Sequence, residues 1–125
     1  MRLARRLRAE SADDRLSLTQ VAALATLERH GPMTAGQLAG YERVSPPSMT
    51  RVIAALAAEG LISRTPHPAD GRQCLVAISP AGVAWLAANR RQREAWLAQQ
   101  LRTLPAEDLA ALRAALPVYD ALAQR

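Results

Sequence analysis

Apolar residues recur along most of this chain at the three- and four-residue spacing of helices that bury one face. At the N-terminus, Leu3 and Leu7 lie one turn apart among arginines, which predicts a short amphipathic helix, and residues 11–14 interrupt it. A longer apolar stripe follows Ser17, where the sequence SLTQ matches a capping box, and it ends near Gly31. The chain therefore begins with a short helix and a longer, capped one.

Two further helices follow with short connections. The sequence TAGQ, which starts at Thr34, is a second capping box and predicts a helix that ends near Tyr41. Ser45 and the two prolines after it predict the start of a third helix, which ends at Gly60. One stripe of this third helix is apolar, and the opposite face is small, polar or basic. The apolar stripe consists of Met49, Val52, Ile53 and Leu56, and the opposite face carries Pro47, Arg51 and Ala54 with Ser48 and Thr50 on its flanks.

Two β-type runs, LISRT and CLVAI, then flank the segment PHPADGRQ. The prolines and the Asp-Gly pair of this segment indicate a hairpin loop between two strands. Helices with short connections form a helix-turn-helix pattern, and a hairpin after them completes a winged helix. The predicted fold class is mainly α with a small β-hairpin: a winged helix-turn-helix core flanked by N- and C-terminal dimerisation helices.

The last part of the chain predicts two more helices. The sequence SPAG opens a long helix at Ser79 that extends to about Leu101, and Pro105 starts the last one. Apolar residues of the last helix follow the 3, 4, 3 spacing of helices that pack on other helices. These residues are Leu109, Leu112, Leu116 and Tyr119. Pro117 is expected to kink or shorten this helix.

Composition narrows the class of protein. A chain of 125 residues that is 50% apolar fits one folded domain and not a disordered segment. Its single cysteine excludes an internal disulfide and fits a reducing compartment. No apolar run reaches the ~18 residues of a membrane span and no signal peptide is recognisable, so we expect a cytoplasmic protein without a membrane partner. The net charge of +5 attracts polyanions, although codon usage in a GC-rich genome explains the preference for arginine equally well.

Few residues of the sequence could support catalysis. His30 and His67 are far apart in the predicted fold, and no Gly-rich phosphate loop, His-Glu metal spacing or Gly-x-Ser-x-Gly elbow is present. We therefore expect neither an enzyme nor a cofactor or metal site. Cys74 falls on the same side of its strand as Val76 and Ile78, which favours a buried, inert thiol over a redox switch.

DNA binding accounts for the outer face of the third helix. Pro47 is small enough for close approach to a major groove, and Arg51 can make a two-pronged contact to guanine. Ser48 and Thr50 can bond phosphates or base edges. The alternative is an ordinary amphipathic helix with one surface arginine.

DNA binding also accounts for the hairpin. Arg72, near its tip, is placed to enter a minor groove, where negative potential is concentrated. Asp70 repels phosphate, so its expected role is to hold an arginine, Arg72 or a neighbour, and thereby orient the wing. Arg64 at the wing base, Thr34 and Ser45 are expected to contact phosphates. The alternative is an ordinary surface turn.

Several segments together resemble the multiple-antibiotic-resistance regulator (MarR) family of bacterial transcription factors: MTAGQLA, PPSMTR, LAAEGLISR, the wing motif DGR and SPAG. The resemblance extends over nearly the whole chain. It implies a homodimer with interlocked N- and C-terminal helices and two winged domains that read a palindrome. It also implies repression that is relieved by a small, often phenolic or aromatic-acid ligand or by thiol oxidation. The family wing often reads Asp-Arg-Arg, and here one of these arginines is missing.

The flanking helices independently favour a dimer, because they carry more apolar surface than a winged lobe can cover and a twofold partner would bury it. The expected interface consists of Leu3, Leu7, Leu109, Leu112, Leu116 and Tyr119. We accordingly divide a single domain of residues 1–125 into a DNA-binding lobe, residues 17–79, and dimerisation segments, residues 1–16 and 80–125. A twofold dimer predicts half-sites about 10 bp apart.

The predicted function is that of a DNA-binding transcription regulator, more often repressor than activator, that binds a pseudo-palindromic operator as a homodimer. A small aromatic or phenolic effector is a further expected partner, and no residue cluster marks its binding site. A winged-helix protein–protein module and a sequence-independent DNA-coating protein are the alternatives.

Overall fold

A computed structural model describes residues 2–10 and 15–125 of the chain, and this part contains six helices and three short strands. In chain order they are α1 (Arg2–Ala9), α2 (Leu18–His30), β1 (Met33–Thr34), α3 (Ala35–Glu42), α4 (Pro46–Ala58), β2 (Ile62–Pro66), β3 (Cys74–Ile78), α5 (Pro80–Leu101) and α6 (Ala106–Ala123). The predicted interruption at residues 11–14 lies outside the described residues. Helix α1 itself has the predicted position.

Side-chain caps set the starts of α2 and α3. The Ser17 hydroxyl accepts the backbone N–H of Gln20 at 3.2 Å, and the Gln20 side chain accepts the Ser17 N–H at 2.8 Å. Thr34 and Gln37 make the same reciprocal pair, at 3.2 and 2.9 Å. Both predicted capping boxes are therefore confirmed, and each satisfies backbone donors that a helix start leaves without partners.

The strands form a three-stranded antiparallel sheet in the order β1-β3-β2. Strands β2 and β3 are the predicted hairpin, with Arg64 opposite Val76 and Pro66 opposite Cys74. Strand β1 pairs with the other edge of β3, with Met33 opposite Val76, and no sequence pattern predicted it. The expected two-stranded hairpin is thus part of a three-stranded sheet that is joined to the start of α3.

The hydrophobic core lies between α2, α3, α4 and the sheet, and α5 covers part of it. Its largest fully buried side chains are Leu24, Leu27, Leu38, Met49, Leu56 and Leu86. The predicted apolar stripe of α4 is confirmed, because Met49, Ile53 and Leu56 are buried and Val52 packs against the same core. Helices α3 and α4 with the hairpin behind them make a winged helix-turn-helix.

Helix α5 begins in close contact with this lobe. The Ser79 hydroxyl donates to the carbonyl of Gly60 at 2.7 Å and accepts the N–H of Gly82 at 3.1 Å, while the Ser79 N–H donates to the carbonyl of Leu61. A side chain at Gly82 would collide with the Leu61 carbonyl, since a Cβ built there lies 2.3 Å from its oxygen. The glycine therefore permits the first turn of α5 to lie directly on the start of β2.

Further along, α5 is tied to two other helices. Arg90 pairs with Glu28 of α2 at 2.7 Å, and the guanidinium of Arg6 on α1 lies 6.0 Å from the ring centre of Trp96. Trp85 packs against the core. These contacts anchor most of α5 within one chain.

Helix α6 is 18 residues long and, like the short helix α1, has no buried residue, whereas each of α2 to α5 has at least two. It continues through Pro117 to Ala123, so Pro117 does not shorten it, and of the two expected effects only a kink remains a prediction. Proline removes one backbone N–H, and because this helix is exposed, water can bond the carbonyl that loses its partner. None of the helices in the described part of the chain combines the length and hydropathy that a membrane crossing needs.

Candidate nucleic-acid interface

The start of α4 is held by a compact set of hydrogen bonds. The Ser45 hydroxyl accepts the N–H of Ser48 at 3.3 Å and lies 2.8 Å from the Ser48 hydroxyl oxygen. Pro46 and Pro47 occupy the first helical positions, where no N–H partner is needed. The capping bond and the two prolines restrict the backbone conformations of the first turn, which lowers the entropy cost of binding there.

The outer face of α4 has the predicted composition. Pro47, Arg51 and Ala54 are exposed, and Ser48 is partly buried at the flank. Thr50 is exposed, but its hydroxyl donates to the carbonyl of Pro46 at 3.0 Å. Thr50 therefore offers an incoming ligand only its acceptor lone pairs and its methyl group, a narrower role than the sequence suggested.

A groove of about 410 Å³ lies between α4, the start of α3 and the hairpin. It brings together three predicted contact residues from three elements, Thr34, Thr50 and Arg64. Gln73 and Cys74 also line it, and neither was predicted as a site residue. The hairpin register is the signal that could have placed them, because it sets the start of β3 beside the end of β2.

The expectation that Cys74 is a buried thiol is wrong, because the residue is exposed. Alternation along β3 places Cys74 on the same side as the buried Val76, and both line the groove. Cys74 is the first residue of the strand, where the sheet extends beyond the core. The face of β3 on which Cys74 lies was thus predicted correctly, but its burial was not.

Near the wing tip, Asp70 is engaged by Arg72. The Asp70 carboxylate accepts the backbone N–H of Arg72 at 3.1 Å and lies 3.6 Å from the Arg72 Nε. Of the partners left open for Asp70, the structure favours Arg72. The Arg72 side chain is 95% exposed, so this exposed ion pair leaves most of the guanidinium accessible to a ligand.

The acidic residues of the lobe all have bonding partners, whereas two of its arginines have no acidic partner in the described part of the chain. Its acidic residues, Glu28, Glu42, Glu59 and Asp70, are bonded to Arg90, Thr26, Arg15 and Arg72 respectively. Arg51 and Arg64 have no acidic partner in the described part of the chain, and both are exposed. The outer face of α4 and the base of the wing therefore carry unopposed positive charge, which attracts polyanions.

The described residues 2–10 and 15–125 contain no group of three or more His, Cys, Asp and Glu side chains that could hold a metal ion. His30 is in the last turn of α2 and stacks on Tyr41 with ring centres 4.6 Å apart. His67 is in the wing loop, where its ring accepts backbone N–H groups.

The residues predicted to form a dimer interface lie mostly at the surface of the single chain. Leu7 and Leu109 are partly buried. The exposed ones are Leu3 (61%), Leu112 (45%), Leu116 (57%) and Tyr119 (66%). Val118 and Leu122 are exposed on the same helix and were not predicted.

Comparisons with known proteins agree with this geometry. Residues 16–74 match the family model described as the MarR family. The HTH-type transcriptional regulator Mb0904 of Mycobacterium bovis is 50% identical over 98% of this chain and 85% of its own length. The crystal structure of RV1404 from Mycobacterium tuberculosis is 25% identical, with a TM-score of 0.88 over 99% of this chain and 86% of that one. A MepR variant of S. aureus bound to an oligodeoxyribonucleotide is 16% identical and shares the fold, with a TM-score of 0.77 over 96% of this chain and 88% of that one.

The predicted family and fold class are confirmed by these matches. The close relatives carry the whole winged lobe and most of the flanking helices, so the agreement is not limited to one motif. The chain belongs to the MarR family, whose members are DNA-binding transcriptional regulators and not enzymes.

Proposed function

We propose that this chain is a homodimeric repressor that binds a pseudo-palindromic operator from one face of the duplex. The observation that carries the proposal is the groove in which Thr34, Thr50 and Arg64 meet, beside the unopposed Arg51. Helix α4 presents small and polar residues next to this groove, as entry into a major groove requires. We further propose that the protein acts in the cytoplasm, where chromosomal DNA is accessible.

Each predicted contact residue has a role in this proposal. Arg51 reads a guanine edge in the major groove, and Pro47, Ser48 and Thr50 line the same approach. Arg72 enters the neighbouring minor groove, and Asp70 holds the Arg72 backbone N–H by a hydrogen bond. Phosphate contacts come from Thr34, Ser45 and Arg64.

The dimer is supported by α6. An 18-residue helix without a buried residue, and with exposed Leu112, Leu116 and Tyr119, presents an apolar surface that water disfavours. A second copy covers such a stripe through twofold symmetry and sets two α4 helices about one turn of DNA apart. We therefore propose that residues 17–79 form the DNA-binding lobe and that residues 1–16 and 80–125 dimerise.

The decisive experiment is a gel shift and footprint on the DNA upstream of the gene itself, with scrambled competitor and a salt series. A footprint with twofold symmetry is the expected result. Uniform coverage would instead indicate a DNA-coating protein, and no shift at low salt would indicate a protein–protein module.

Alanine substitution at the wing sharpens this test. Arg72→Ala is expected to weaken operator binding by about 1–3 kcal/mol and to change the preference for A·T-rich flanks. Arg102→Ala removes the same charge from the far end of α5 and serves as the control. Equal affinities of the two variants would remove the wing from the mechanism.

The proposal includes release by a small aromatic or phenolic effector, and the matching measurement is loss of the gel shift in a series of aromatic acids and phenols. Retention of the shift throughout that series would remove this part of the proposal and leave the DNA-binding part intact.

A further inference from the structure

Most backbone N–H groups of the wing loop from His67 to Gln73 donate to acceptors within the loop itself. The His67 N–H donates to the Gln73 carbonyl at 3.0 Å and closes the loop, and the Gln73 N–H donates to the Asp70 carbonyl at 3.0 Å. Pro68 has no N–H to satisfy. The remaining donors include those of Ala69, Asp70 and Arg72, and all three are bonded to side chains of the loop.

His67 provides the acceptor for two of those donors. Its Nδ1 accepts the N–H of Ala69 at 3.1 Å and the N–H of Asp70 at 3.2 Å. A backbone N–H can only donate, so Nδ1 must present a lone pair, and in a neutral ring the proton is then on Nε2. The ring is therefore a neutral clamp on the backbone from which the Asp70 carboxylate projects.

Two successive hydrogen bonds link the His67 ring to Arg72. His67 holds the Asp70 backbone, and the Asp70 carboxylate accepts the Arg72 N–H at 3.1 Å. Without the clamp, the two amides lose the acceptor that they have in this structure, and the turn that aims Arg72 keeps only the Asp70 and Gln73 bonds. We propose that His67 is a positioning residue for DNA recognition, an acid-sensitive clamp that holds the wing tip in its binding conformation only while its ring is neutral.

The sensitivity to acid follows from the bond geometry. Protonation converts Nδ1 from an acceptor into a donor, which then faces two other donors, so both hydrogen bonds are lost. The other ionisable groups of the wing are Asp70 and Arg72 in the same loop, Cys74 at the start of β3 and Arg64 on β2. Asp70 is paired with Arg72, and the described part of the chain contains no ion pair of His67 that could retain the loop after protonation.

Two effects of protonation on DNA binding oppose each other. The added positive charge strengthens attraction to any phosphate backbone, whereas the disordered tip weakens only contacts that depend on its shape. The proposal, which rests on the operator-binding function proposed above, therefore predicts that acid lowers discrimination between operator and random DNA. Affinity for random DNA is expected to stay constant or rise.

The chain offers well-matched variants for a test. His67→Asn places a carbonyl oxygen at the same position along the side chain as Nδ1, and this oxygen accepts hydrogen bonds but does not titrate. His67→Ala removes the acceptor at every pH. The sequence contains two histidines, so His30→Gln, at the end of α2, controls for all other imidazole titration.

The first measurement uses the full chain without DNA. Amide hydrogen-exchange protection factors of Ala69 and Asp70, corrected for the intrinsic effect of pH, are compared at pH 7.5 and 5.5. Protection is expected to fall on acidification in the wild type and in His30→Gln, and to stay constant in His67→Asn. Constant protection in the wild type would overturn the proposal, whatever DNA the protein binds.

The second measurement is the ratio of affinities for a duplex selected by the wild type from a random-sequence library and for its scrambled version. The ratio is expected to fall about five- to tenfold between pH 7.5 and 5.5 in the wild type, to stay high in His67→Asn and to be low at both pH values in His67→Ala. A pH-independent wild-type ratio would show that the clamp does not position Arg72 for DNA and would refute the proposal. Absence of any discrimination at pH 7.5 would refute the operator-binding function itself, while the exchange measurement would still judge the clamp.

Discussion

The winged lobe and helix α6 both have apolar residues at helical spacing, but these residues are buried in the lobe and exposed in α6 within the single chain. In the lobe, the stripe of α4 is buried against α2 and α3, and Met49 and Leu56 are inaccessible to solvent. In α6, most of the stripe with 3, 4, 3 spacing is exposed at the surface of the chain. The difference shows that an apolar stripe on a helix predicts that the stripe is buried, but does not predict whether it packs against the same chain or against another one. For α6 the proposed cover is a second copy.

The largest effect on stability is expected in the lobe, where the apolar stripe packs against the same chain. Leu56→Ala removes a fully buried side chain from the lobe and should lower the free energy of unfolding by about 2–5 kcal/mol, because a cavity adds to the lost transfer energy. Leu18→Ala makes the same substitution in the same lobe at an exposed position, and its expected cost is below about 1 kcal/mol. Urea unfolding monitored by circular dichroism measures both. Similar costs would mean that Leu56 is not sealed from solvent inside the lobe.

The second prediction tests whether the apolar stripe of α6 packs against a second copy of the chain. Leu116→Asp should raise the dissociation constant of the dimer by about thirty- to a thousandfold, or roughly 2–4 kcal/mol, because a charge would be buried at two symmetry-related positions. The matched control is Val118→Asp. Val118 is as exposed in the single chain as Leu116, at 61% against 57%, but it is about 200° away around the helix.

Sedimentation at a series of protein concentrations measures this dissociation constant. Val118→Asp is expected to leave it within a few-fold of the wild type. If both variants dimerise like the wild type, the stripe of α6 is not the interface. If both fail equally, the interface does not follow the 3, 4, 3 stripe.

The starts of the helices could be predicted from the sequence because capping is local. Ser17, Thr34 and Ser45 each bond the N–H of the third residue after them, so a four-residue window contains the whole interaction. Strand β1 could not be predicted in this way. It consists of Met33 and Thr34 alone, too short for any periodicity, and it exists only because β3 lies beside it in the fold.

The candidate site was predictable residue by residue but not as an arrangement. The exposed face of α4 followed from helical geometry, and Arg51 and Pro47 are where that geometry placed them. The groove that joins Thr50 to Arg64 depends on the packing of the hairpin against α4, a contact between distant segments. His67 shows the same limit, because its hydrogen bonds depend on a loop conformation that no motif of the sequence specifies.

The smallest effect concerns the junction between the two regions, where α5 leaves the lobe. Gly82→Ala places a methyl group 2.3 Å from the Leu61 carbonyl oxygen and 2.7 Å from Cγ1 of Ile78, so the first turn of α5 must move away from the sheet. The expected loss of stability is about 1–3 kcal/mol, even though alanine is the better helix former. Gly40→Ala is the matched control: it lies within α3, has no atom within 4 Å of the added methyl group, and should gain up to about 1 kcal/mol. Thermal unfolding of the two variants should therefore shift in opposite directions. A Gly82→Ala variant as stable as Gly40→Ala would show that α5 does not approach the lobe this closely, and that the lobe and the dimerisation helices are joined more loosely than the Ser79 bonds indicate.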